Sequence, residues 1–150
     1  MPQEIHAVDV AAASPASPRV GFISTWPPTR CGIATYTRRL ARALIEDHGL
    51  AVQVLGDLGA DPDDALCEVE PVFERGGRFA APIVEAAKRR GLDLVHIQHA
   101  PDLFGMGREL FALLDGLRSN GIRSVITLHT VYDRMSGLLE RKPHAQWFHR

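Results

Sequence analysis

Arg19–Leu55 reads RVGFISTWPPTRCGIATYTRRLARALIEDHGLAVQVL, and this stretch decides the fold. Val20–Ser24 is a short, β-rich apolar run. The two prolines of Thr25–Gly32 (TWPPTRCG) forbid both a helix and a central strand there. Ile33, Tyr36, Leu40 and Leu44 then recur at helical spacing, with Arg38, Arg39 and Arg42 on other faces. Gly49 closes that helix, and Ala51–Leu55 is a second strand.

The same alternation continues downstream. Asp57–Leu66 reads as an acidic loop, and Val69–Phe73 as a short strand that Pro71 demotes to an edge. Phe79–Arg89 has helical periodicity, with Ile83, Val84 and Ala87 inward and Lys88–Arg90 where cations suit the dipole. Gly91 follows it as a terminator. Leu94–Gln98 is the next strand, HAPDLFGMG a loop, and Leu110, Phe111, Leu114 and Leu117 mark one side of another helix. Asn120-Gly121 ends that helix, and Ser124–Leu128 is a further strand before a helix expected near Arg134–Glu140. Residues 9–18 are rich in Ala, Ser and Pro and offer nothing large to bury, so residues 1–18 read as a disordered tail and 19–150 as the folded part. The fold class is α/β: a Rossmann-like parallel sheet with helices on both faces.

Composition excludes several function classes. The chain of 150 residues fits one domain or a large piece of one. Seventeen basic against 18 acidic side chains give a net charge of -1, without the basic excess that nucleic-acid binding draws on. Cys31 and Cys67 make neither a disulfide framework nor a C-x-x-C pair, which fits a reducing cytoplasm. No apolar run reaches the ~20 residues of a membrane span, and the N-terminus lacks a signal-peptide pattern. No His/Cys/Asp/Glu set has metal-ligand spacing, so no metal is expected.

Right-handed crossovers align the strand C-termini along one edge, where open α/β sheets bind ligands. The loop Pro27–Gly32, His99 and His129 all fall there. Neutral imidazole accepts a proton or bonds a hydroxyl near neutral pH, while a lone histidine at a strand end is more often solvated or backbone-bonded than catalytic. His96 sits inside its strand and reads as structural; His6, His48, His144 and His149 have no motif around them. Gly32 opens a helix, where free N–H groups favour an anion or polar ligand, or it is a plain turn glycine. Arg30 pairs with an anionic ligand or is solvated; the sequence leaves both open. The first loop is neither G-x-G-x-x-G nor a P-loop, and Gly105-Met-Gly107 has no third glycine. Cys31 lacks the arginine six positions on that a phosphatase loop needs; Thr37 stands there.

Ile23–Leu40 (ISTWPPTRCGIATYTRRL) resembles the opening of family-4 glycosyltransferases, and Asp93–His99 (DLVHIQH) and Val125–Val131 (VITLHTV) resemble two further signatures of that group in order. The resemblance implies the N-terminal half of a GT-B enzyme that transfers a sugar with retention from a nucleotide-sugar donor to an acceptor the sequence does not name, generally without a bound metal or other cofactor. By position it implies a catalytic role for His129, close to the transferred sugar, and substrate-binding roles for Gly32, near the donor phosphates, and His99, lining the cleft; Arg30, as the cation of the first loop, is taken as a further substrate-binding candidate. Ala100 stands where many relatives have a glutamate, and no two glutamates have the spacing of the family's donor half. The donor domain and the last strands of this domain are therefore expected to lie outside the sequence, leaving the chain inactive alone. A non-catalytic sugar- or polyol-binding module is the alternative. Arg38, Arg39 and Arg42 also suggest a peripheral membrane contact, because lipid-linked acceptors occur in the family.

Overall fold

The computed structural model describes residues 17–105 and 107–130; most of the expected N-terminal tail, the helix expected at 134–140, His6, His144 and His149 lie outside the described residues. Five strands form one sheet: β1 (Arg19–Ser24), β2 (Ala51–Asp57), β3 (Glu68–Phe73), β4 (Leu94–His99) and β5 (Arg123–Leu128). All neighbours are parallel, in the order β3-β2-β1-β4-β5. β3 is an edge strand, as Pro71 requires.

Helix α1 (Gly32–Glu46) covers one face of β1 and β2. It buries small side chains, Ala34, Thr37 and Ala41, and so lies close to the sheet. Thr37 Oγ1 bonds Ser24 Oγ at 2.9 Å, which settles both buried hydroxyls. Tyr36 is 45% exposed, not part of the inward stripe its spacing suggested. Its ring meets the edge of the His129 ring instead, with centroids 5.3 Å apart. Cys31 caps the helix: its Sγ accepts the Ala34 N–H at 3.3 Å and touches Thr25 Oγ1 at 3.1 Å.

The other face carries α2 (Ala80–Arg89) and α4 (Arg108–Ser119), packed on each other. Their contact needs Gly116, where a Cβ would come within 2.7 Å of Val84 Cγ2. Leu113 and Leu117 form the buried stripe of α4, and Phe111, set on the outer side, is 65% exposed. The expected loop after β4 contains a short helix, α3 (Pro101–Phe104). Its Phe104 packs against Phe73 and Phe79, each at 5.3 Å between ring centroids.

Asp64 ties three segments together. Its Oδ2 accepts from the buried Trp26 indole N–H at 3.1 Å and from Arg38 Nε at 3.0 Å, and its Oδ1 accepts from Leu66 N–H at 2.8 Å. Burial pushes the Asp64 carboxyl up, but these donors outweigh it and hold its pKa below the ordinary value. Arg38 is thereby engaged, and Arg42 Nε lies 3.8 Å from Glu46. Of the three arginines considered for a membrane surface, only Arg39 has no ion pair among the described residues. Asp64→Ala strands the Trp26 N–H and frees Arg38, so we expect a loss of about 2 kcal/mol, read as a lower urea midpoint.

Candidate active site

The chain leaves β3 at one edge and re-enters the sheet beside β1, so the topological switch point lies between β1 and β4. The C-terminal ends of both strands, and of β5 beside them, share one rim. His129 N–H donates to the His99 carbonyl at 3.0 Å, which extends the β4–β5 ladder by one rung. Arg30, on the loop after β1, and Gly32, the first residue of α1, are both exposed. Space around Gly32 is open: a Cβ there would meet nothing within 4 Å.

Strand alternation separates the two histidines. Along β4, Val95, Ile97 and His99 point to the α2–α4 side, whereas His96 and Gln98 point to the α1 side. His99 is only 1% exposed; its Nε2 bonds the Gly105 carbonyl at 2.9 Å and its ring stacks on Phe104. Its side chain thus belongs to the core under α3 and does not line the rim, contrary to the role its position implied. His129 lies on the opposite face with Gln98, whose Oε1 is 2.7 Å from His129 Nε2. An oxygen acceptor there assigns the proton to Nε2 and leaves Nδ1 as an acceptor with no partner among the described residues.

Sequence reasoning passed over two residues of this group and a third on the same edge of the sheet. His96, read as purely structural, is half-buried beside this group, with Nε2 2.7 Å from Thr127 Oγ1 and its ring stacked on Phe22. Gln98 is fully buried, and its Nε2 has no partner among the described residues. Asp57 was placed in an acidic loop, yet it is the last residue of β2 and 2% exposed. The available signal was position: each stands within or at the end of an apolar strand, where a polar side chain needs a reason.

Burial lowers the pKa of His96, and the nearby His129 charge lowers it further; burial alone lowers that of His129. The pair is therefore neutral near pH 7 and fitted to accept or donate hydrogen bonds rather than to hold an anion. No group of three or more candidate metal ligands occurs among the described residues. Among the described residues, no helix is long and apolar enough to cross a membrane.

A family model described as Glycosyltransferase Family 4 matches residues 31–150. No curated protein matches the chain.

The histidine shifts set a pH dependence. Both folded pKa values lie below 6.5, so below that pH the unfolded chain binds protons that the folded chain refuses. Stability is retained above pH 6.5 and declines as pH falls toward the folded values. Urea midpoints should drop between pH 7 and pH 5, and the His96→Gln/His129→Gln double variant should flatten that slope.

Proposed function

The chain belongs to glycosyltransferase family 4, and from that membership we propose that it is the acceptor-side half of a retaining enzyme that moves a glycosyl group from a nucleotide-sugar donor. The match over residues 31–150 carries this reading. Its match includes Gly32 and His129, and the parallel sheet supports it by gathering their segments at one rim.

Each group has a physical task in that reading. The first turn of α1 has N–H groups without intrahelical acceptors, and only Ala34 is capped by Cys31 Sγ. Gly32 lets an anionic donor phosphate approach that turn, with Arg30 beside it as a counter-charge. His129, held by Gln98 and steadied at its edge by Tyr36, offers Nδ1 to a hydroxyl of the transferred sugar. That contact orients the sugar before bond cleavage rather than supplying the whole barrier reduction. The nucleotide and the remaining contacts belong to a donor half outside this sequence, acting in the cytoplasm.

Two outcomes follow for the purified protein. The 150-residue chain alone should not turn over sugar nucleotides, because in this reading half of the preorganised pocket lies on the donor half. Supplied with a donor half, it should transfer, and His129→Ala should lower kcat by about 10²-fold. Transfer by the isolated chain would overturn the reading. Sugar binding that survives His129→Ala, with no transfer in any pairing, would assign the chain to a non-catalytic polyol-binding module.

A further inference from the structure

We propose that Asp57, Gly59 and Arg75, with Thr29, form a subsite for a neutral vicinal diol, the pair of adjacent hydroxyls found on a cyclic polyol or a ribose ring. Naming that diol as an acceptor group rests on the acceptor-side reading above; its recognition by these residues does not.

Asp57 ends β2, next to β1 on the ligand edge of the sheet. An acidic residue at this place in Rossmann-type units holds ribose hydroxyls. The Asp57 side chain is 3% exposed, and Arg75 Nε lies 3.3 Å from its Oδ2. Its Oδ1 has no hydrogen-bond partner among the described residues. That oxygen is closed off from solvent, and the carboxylate oxygen that faces the space beside Gly59 is Oδ2, 3.5 Å from where a Gly59 Cβ would stand. Burial raises the Asp57 pKa, with Arg75 and the backbone amides of Trp26, Asp57 and Gly59 pulling it back.

The surroundings fit a ring carrying hydroxyls. A cavity of about 290 Å³ is lined by Asp57, Leu58, Gly59, Glu74 and Arg75. The missing side chain of Gly59 opens it: a Cβ there would sit 3.4 Å from Thr29 Oγ1 and 3.5 Å from Asp57 Oδ2. A hydroxyl and a carboxylate therefore flank one small space. Arg75, half exposed, covers the carboxylate and can turn its remaining N–H groups to ligand oxygens. Leu58, 64% exposed, offers an apolar surface to the C–H face of a ring. Two carboxylates against one guanidinium disfavour a phosphate and favour an uncharged ligand.

Amide NMR titrations of the ¹⁵N-labelled 150-residue chain with myo-inositol, uridine and 2′-deoxyuridine test this. We expect saturable shifts at Leu58, Gly59 and Arg75 with a Kd of about 1 mM. Saturation by myo-inositol assigns the diol to a cyclic polyol, and saturation by uridine but not 2′-deoxyuridine assigns it to ribose. Asp57→Asn should weaken binding about tenfold, because the charge-assisted bonds are lost. Gly59→Ala places only a methyl, at ordinary contact distance, between Thr29 Oγ1 and Asp57 Oδ2, so it keeps the fold, takes the place of a ligand hydroxyl there and should abolish binding; it decides the matter if Asp57→Asn does not fold. No saturable shift with any probe, equal binding of uridine and 2′-deoxyuridine without myo-inositol binding, or binding indifferent to Gly59→Ala would overturn the subsite. Diol binding without sugar transfer in any pairing would instead sink the glycosyltransferase reading and leave the subsite standing.

Discussion

The Asp64 carboxylate is the anchor on which the ligand edge depends. Trp26 belongs to the loop after β1, Arg38 to α1, and Leu66 to the segment before β3, and all three donate to this one side chain. The loop Pro27–Cys31 contains few residues able to bury themselves, so it takes its shape from what grips it. With Trp26 fixed, the chain enters α1 at a set position, and the Cys31 cap completes the turn. Gly32, Arg30, Thr29 and the Tyr36–His129 contact all inherit their placement from that grip. A carboxylate with an ion pair and several hydrogen-bond donors is also one of the few ways a buried charge is tolerated without neutralising.

A second constraint is the two-residue period of the strands. In β4 it sends His96 and Gln98 to one side and His99 to the other, so two histidines at adjacent strand ends have different fates. α1 lies over β1 and β2, and the β4–β5 half of that face is covered by no helix among the described residues. His129 and His96 are consequently desolvated only in part: enough to keep them neutral, not enough to seal them away.

Most of the fold was legible because it follows from period and punctuation. The five strands, the three longer helices and the edge position of β3 are visible in apolar runs, turn glycines and Pro71. The misplacements have a common origin. Tyr36 and Phe111 are large apolar residues near the inward stripe of their helices, and hydrophobicity alone does not tell the flank of a stripe from its centre. α3 was hidden because its four residues are too few to show a period, and its formation depends on Phe104 finding Phe73 and Phe79. At the site, His129 is found by its place after β5, whereas the support from Gln98 arises across strands and leaves no local mark. Asp57 was absorbed into a run of acidic residues because composition outweighed its position at the end of β2.

Val125, Ile126 and Leu128 of β5 are exposed, and no strand among the described residues pairs with its outer side. The backbone amides and carbonyls there are a template on which another extended peptide can grow the sheet by one strand. Thermal tolerance and shelf life are then separate properties: the first is set within one molecule, the second by how often two molecules meet. Keeping the material dilute guards the second without altering the first.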